Sequence, residues 1–430
     1  MNTSQRNPFA WIQARLQALD RQGLRRRLHT WNRPGTILYT DDEREIINFG
    51  ANDYLGLAAM PLPSAGNGLP VTDAANQMAM DPTACLQVRT RGSGASPLVC
   101  GYSSLHEQLC QRLACLEETE STLLFASGYA ACSGVVAALA QPGDLILSDR
   151  LNHAALIDGC RLSRAERFIY PHRDVAVVQA LLRHHRHRFV RAWIVTDSVF
   201  SMDGTLAPLA ELSELARRHD ATLLVDEAHA TGVLGDDGSG GCAACGVKTE
   251  VPIRIGTLSK AVGSHGGFVV GPQIVTDFLL SHCRSLIYST AATPTTIATA
   301  DAGVEAIQRL PELRTRLRKR IEQFHTTLPL DRDSQKMRQD ASRTKDRCNF
   351  NIQQTQVPII PIHVGSSALA VDLAQRLLER GFYVPAIRPP TVPQGTARLR
   401  VSLSAAHTPA HIEALLDGLR PLLTEINAQR

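Results

Sequence analysis

Between about residues 100 and 290, short unbroken apolar runs alternate with segments whose leucines recur every three or four positions. The runs cover 144–147, 192–196, 222–225, 253–255 and 268–270, each bounded by Gly, Asp or Ser. Continuous hydrophobicity over so few residues is the mark of a strand buried on both faces. Leu105, Leu109, Leu113 and Leu116 lie on one face of a helix, and Pro208 precedes another stripe at Leu209, Leu212 and Leu215. Strand–helix alternation predicts an α/β fold with a mostly parallel central sheet covered by helices. A different rhythm follows. Residues 368–380 carry a leucine stripe ending at Gly381, 357–364 and 399–403 read as strands, and Thr408-Pro409 opens a last helix. That is a smaller α+β carboxyl-terminal domain. The expected division is an amino-terminal segment at 1–60, a large domain at 61–300 and a small one at 301–430. Residues 61–82, rich in Pro and Gly, and the polar stretch 331–356 read as surface insertions.

Parallel sheets bind ligands at the carboxyl ends of their strands, and the chemistry-bearing residues gather there. Ser127-Gly128-Tyr129 opens a helix, whose free first-turn amides suit a phosphate. His153 follows the 144–147 run. Asp197-Ser198-Val199-Phe200-Ser201-Met202-Asp203-Gly204 follows the next, and Asp226-Glu227-Ala228-His229 the third. Gly256-Thr257-Leu258-Ser259-Lys260 closes the fourth and leads into Gly263, Gly266 and Gly267. A lysine bounded by glycines, downstream of a strand-terminal acid, is what pyridoxal phosphate requires. The cofactor needs a primary amine for its aldehyde and an acid for its ring nitrogen. Each feature alone is weak, since most lysines are solvated and most histidines structural. Five in order, each after a strand, form a specific signal.

Composition narrows the classes. A charge of +4 over 430 residues points to neither nucleic acid nor an anionic membrane, and no apolar run approaches a membrane span. The amino terminus lacks the apolar core of a secretory signal, and ten scattered cysteines read as reduced thiols of a cytoplasmic protein. Cys242 and Cys245 have ligand spacing without a second pair, so a loop bearing two thiols is the better reading. His184-His185-Arg186-His187-Arg188 reads as a solvated helix end, and no metal is expected. The absence of a GxGxxG opening a strand–helix unit argues against a dehydrogenase.

Together with Asn52-Asp53-Tyr54-Leu55-Gly56-Leu57 and Tyr288-Ser289-Thr290, these segments resemble the α-oxoamine synthases, pyridoxal-phosphate enzymes of the fold-type I aminotransferase class. The resemblance implies that Lys260 bonds the cofactor and that Asp226 faces its ring nitrogen. It also implies that His153 stacks on the ring, with His229 and Ser201 at the phenolic oxygen. Gly128, Tyr129 and Thr257 would hold the phosphate, aided by Thr290 from a second subunit of a homodimer with shared sites. Lys260, His153 and Asp226 would be catalytic. Arg388 would bind the amino-acid carboxylate, with Arg25, Asn52, His153 and Thr391 also contacting substrate. The stretch Arg388-Pro389-Pro390-Thr391-Val392-Pro393 resembles members joining L-alanine to a pimeloyl thioester, on coenzyme A or a carrier protein. Glycine or serine with another acyl-CoA is the alternative. Asp197 stands where the family usually has a glutamate, and Pro97 and Cys100 are uncommon in the glycine-rich stretch near substrate.

Overall fold

The computed structural model describes residues 9–26, 28–32, 35–60, 92–328 and 356–428. Both expected insertions, apart from Gln356, therefore lie outside the described residues. The central sheet is made of β3 (Ser121–Phe125), β4 (Leu145–Asp149), β5 (Glu166–Tyr170), β6 (Ala192–Asp197), β7 (Thr222–Asp226), β8 (Ile253–Thr257) and β9 (Gly267–Gly271). Their order across it is β3-β9-β8-β7-β6-β4-β5. Neighbours from β5 to β8 run parallel, and β9 is antiparallel to both β8 and β3. The α/β expectation holds, with β4, β6, β8 and β9 buried along their whole length.

Helices close both faces. Gly128–Leu139 and Ala154–Leu162 pack over Ile146, Val195, Leu224 and Ile255, while Val175–His185 and Leu209–Arg218 cover Leu147, Ile194, Leu223 and Val225. Alternate residues of the same strands thus feed opposite cores, the reason these strands read as unbroken apolar runs. Gly159 lets the first pair of helices approach closely, since a Cβ there would meet Val136 at 2.9 Å.

Two strands escaped the sequence reading. β5 is an edge with Glu166, Arg167 and Ile169 exposed, and β3 is five residues long at the opposite edge. Further missed pieces are β1 (Ile37–Tyr39) and β2 (Glu45–Asn48), paired antiparallel, with β11 (Phe382–Tyr383) added parallel to β2. The carboxyl-terminal strands β10 (Ile359–Gly365), β12 (Ala386–Ile387) and β13 (Ala397–Ser402) form an antiparallel sheet in the order β10-β13-β12. Helices Ser367–Glu379 and Pro409–Ala428 accompany it. Gly381 follows the first of them at φ +89°, in the left-handed region its expected cap requires.

The histidine–arginine run caps a helix, as expected. Val175–His185 ends there, His185 stacks on Phe168, and Arg186 bonds the backbone of His219 and the Asp220 carboxylate. No helix among the described residues is long and apolar enough to cross a membrane. Among the same residues no cluster of three or more candidate metal ligands occurs.

Candidate active site

The carboxyl ends of β4, β6, β7 and β8 present Asp149, Asp197, Asp226 and Thr257, and three residues on comes Lys260. Asp197 and Asp226 are register partners on adjacent parallel strands, so two carboxylates sit side by side, both buried. One oxygen of Asp226 accepts from the Ala228 amide at 2.9 Å and the other from the buried thiol of Cys132 at 3.1 Å. Burial lowers the Lys260 pKa to about 8, against the opposing pull of the Asp226 and Asp197 carboxylates. Burial, and then the Asp226 carboxylate, push Asp197 well above the usual range. Asp197 accepts the backbone N–H of His153 at 2.8 Å, which fixes the start of the helix Ala154–Leu162. The shorter acid in the usual glutamate's place is thus engaged with backbone.

Gly128 begins its helix, with Ser127 as the cap accepting from Ala130 at 3.1 Å. The first-turn amides of Gly128 and Tyr129 have no acceptor within the helix. A Cβ on Gly128 would touch Thr257 at 3.2 Å, and one on Gly267 would meet the Ser127 carbonyl at 2.5 Å. Only bare backbone lets the helix start, β8 and β9 converge this closely, and the result is a small amide-lined cradle beside a threonine hydroxyl. The Tyr129 hydroxyl donates to Asp158, leaving its ring half exposed.

On the other side of Lys260, His229 is buried with its Nδ1 2.7 Å from the Tyr54 hydroxyl. That hydroxyl lies 3.2 Å from Asn52 Oδ1 and accepts from Arg400 at 3.4 Å. Burial, and then the positive charges of Lys260 and Arg400, hold His229 well below the usual imidazole range, so it is neutral at pH 7. Arg400 also donates to the Ser201 carbonyl at 2.6 Å, while Arg398 pairs with Asp203. These two arginines of β13, unassigned in the sequence reading, join the small sheet to the Ser201–Gly204 loop. Their signal was available: two arginines at alternate positions of one strand, on neither of which a wholly buried strand would be expected.

The remaining candidates lie further out. Arg388, one residue past β12, donates to the Gly23 carbonyl, and Arg26 donates to Thr391 at 2.9 Å. The amino-terminal segment is thereby held against the Arg388–Thr391 turn. Arg25 instead pairs with Asp20 at 2.7 Å on the exposed side of that segment. Thr290 is exposed and lines an apolar cavity of 340 Å³ with Pro97, Tyr102, Phe125 and Leu286. Within one chain it makes no hydrogen bond to Gly128 or Thr257.

A lysine just past a strand end, two adjacent acids, an amide cradle and a neutral imidazole meet at the carboxyl ends of the central strands of a seven-stranded sheet. The model of aminotransferase class I and II matches residues 44–419. The chain belongs to the aminotransferase class I and II family. It is 41% identical over 421 residues to an 8-amino-7-oxononanoate synthase of Anaeromyxobacter dehalogenans, covering 98% of this chain and 97% of the relative. In fold it is similar to a serine palmitoyltransferase of S. paucimobilis with bound PLP, at TM-score 0.80 and 26% identity, covering 98% of both chains. It is also similar to the 8-amino-7-oxononanoate synthase of Francisella tularensis, at TM-score 0.66 and 25% identity, covering 90% of this chain and 99% of that one. Family membership fits the amide cradle and the buried Lys260 in the field of Asp226: phosphate, ring nitrogen and aldehyde of pyridoxal phosphate each have a group of matching chemistry here.

Proposed function

We propose that the chain is a pyridoxal-phosphate-dependent 8-amino-7-oxononanoate synthase, joining L-alanine to a pimeloyl thioester with loss of carbon dioxide and the thiol. The observation that carries the reading is the near full-length 41% identity to such an enzyme, together with the filled constellation around Lys260. Likeness to serine palmitoyltransferase supports the family and its cofactor. It does not favour serine as substrate, because the identity there is 26%.

When bound, the cofactor supplies an electron sink for the negative charge left as a bond to the amino-acid α-carbon breaks. Lys260 holds the cofactor between turnovers and afterwards serves as the base that takes the α proton. With its pKa near 8, a sizeable fraction is neutral at physiological pH, where an ordinary lysine has almost none. Asp226 would face the ring nitrogen and favour its protonated form as an ion pair. Tyr54 accepts from Arg400 and places its hydroxyl between Asn52 Oδ1 and His229 Nδ1, which holds the His229 ring in place, and His229 with Ser201 would contact the phenolic oxygen. His153 would stack on the ring, and Gly128, Tyr129 and Thr257 would hold the phosphate. Arg388 would bind the alanine carboxylate, with Asn52 nearby, and Arg25 and Thr391 would contact substrate. The two prolines after Arg388 restrict its backbone and so the direction of its guanidinium.

The enzyme is proposed to be a cytoplasmic homodimer serving biotin biosynthesis, with Thr290 of each subunit completing the other's phosphate site. Leu98 and Tyr102 support this, since both are exposed and both line the apolar cavity that Thr290 lines; the exposed Val99 and Tyr288 are each next in sequence to a lining residue. Mixing Thr290→Ala with Lys260→Ala subunits in equal amounts is expected to restore about a quarter of the native sites. Half the dimers are then mixed, and each has one complete site. No recovery of turnover on mixing would show that sites are not shared.

The Lys260 pKa gives a pH expectation. Because the folded-state value is lowered, the neutral amine grows as pH rises through about 8. The rate at which cofactor-free protein captures pyridoxal phosphate is expected to rise with pH and level off above that value. Stopped-flow absorbance checks this, and a rate still climbing near pH 10 would contradict it. The function itself is tested by product formation from alanine, glycine and serine, each with pimeloyl, acetyl and palmitoyl thioesters. Alanine with pimeloyl is expected to exceed every other pair at least about tenfold, a difference of about 1.4 kcal/mol. Equal turnover of glycine with acetyl-CoA would overturn the reading.

A further inference from the structure

The loop carrying Ser201 is a narrow hairpin closed by an antiparallel bridge between Val199 and Leu206. Its front is held by the small sheet, through Arg400 to the Ser201 carbonyl and Arg398 to Asp203. Behind it stands His172, on the turn after β5, with no role in the site described above. The His172 ring meets Phe200 edge-on at 4.3 Å and 88°, and its Nε2 lies 2.8 Å from the Thr205 hydroxyl. Its Nδ1 lies 3.0 Å from Asp149 Oδ1.

The Asp149 carboxylate fixes the direction of the first bond. Asp149 already accepts the amides of Leu151 at 2.8 Å and Arg173 at 2.9 Å, and a carboxylate offers no proton, so Nδ1 must donate to it. Nε2, on the other side of the ring, shares a hydrogen bond with the Thr205 hydroxyl, which can serve as either partner. Thr205 also accepts the Phe200 amide through its carbonyl at 2.9 Å, and Gly204 donates back to the Phe200 carbonyl at 2.9 Å. Residues 200 and 205 therefore move together, and Ser201 is the next residue along. A chain of contacts thus runs from the buried Asp149, through the His172 ring and Thr205, to the backbone beside Ser201.

We infer that His172 is a positioning residue, which fixes Ser201 against the cofactor through Thr205 and Phe200. The inference rests on the proposed contact of Ser201 with pyridoxal phosphate. Removing the Thr205 hydroxyl would free the hairpin to shift by a fraction of an ångström, enough to lengthen a hydrogen bond without unfolding anything.

The readout is the pH at which the visible absorbance of the loaded protein changes, which reports hydrogen bonding at the phenolic oxygen. Ser201→Ala is expected to move that midpoint by about 0.5 pH unit or more. Thr205→Val and His172→Asn should move it in the same direction by a similar amount, and Thr205→Ser should restore the native value. The double variant Thr205→Val with Ser201→Ala should shift it no further than Ser201→Ala alone. Native midpoints in both Thr205→Val and His172→Asn, or shifts that add to that of Ser201→Ala, would overturn the positioning role while leaving the cofactor reading intact. A native midpoint in Ser201→Ala itself would remove the contact being positioned, and the inference with it. Thr205 is only partly buried, so Thr205→Val folds whether or not His172→Asn does.

Discussion

Lys260→Ala is expected to abolish product formation, with turnover falling by at least about 10⁴-fold. On the proposed function the variant loses two things at once: the amine that would fasten the cofactor, and the base that would accept the substrate proton. The amide cradle at Gly128 and Tyr129, the Thr257 hydroxyl and the Asp226 carboxylate are untouched by the change. The protein is therefore expected to keep its fold and still bind pyridoxal phosphate, more weakly and without a covalent link. Equilibrium dialysis together with a turnover assay separates the two losses. A variant retaining more than about one per cent of native turnover would place the base elsewhere.

Asp226→Asn is the second large effect. The amide has nearly the same shape, so Ala228 and β7 stay in place, but a neutral partner no longer favours a proton on the ring nitrogen. An opposite charge at contact distance is worth about one to three pKa units, and each unit about 1.4 kcal/mol. Turnover is expected to fall about a hundredfold to a thousandfold, with cofactor affinity much less affected. Cys132 adds a detail: its thiol donates to Asp226, and in the variant it can donate to the amide oxygen only if that oxygen faces it. Asp226→Glu, which keeps the charge and moves it by one methylene, should lose less than Asp226→Asn. Near-native turnover in Asp226→Asn would show that another acid serves the ring nitrogen.

How far the sequence revealed this arrangement depends on sequence distance. β4, β6, β7 and β8 were legible because both faces of each are covered, so their hydrophobicity is unbroken. The acids and the lysine at their ends followed from that. β5 was not legible, because as an edge strand it exposes Glu166, Arg167 and Ile169 and loses the continuous run. The sheet of β1, β2 and β11 joins pieces more than 330 residues apart, a pairing that no local pattern records. The same holds at the site. Arg400 meets Tyr54 across 346 residues and Ser201 across 199, so two arginines in a buried strand signalled a partner without naming it. Arg25 shows the reverse: the resemblance marks it as a substrate contact, whereas within one chain it pairs with Asp20. Thr290 makes no hydrogen bond to Gly128 or Thr257 within one chain, so its proposed phosphate contact calls for a second.

The claim on which the whole account rests is that pyridoxal phosphate is held at Lys260. Borohydride reduction of the loaded protein, followed by protease digestion and mass spectrometry, tests it in one step. The account predicts a single modified peptide carrying the reduced cofactor on Lys260, and no label in Lys260→Ala treated in the same way. A label on any other lysine, or equal labelling of the variant, would contradict it.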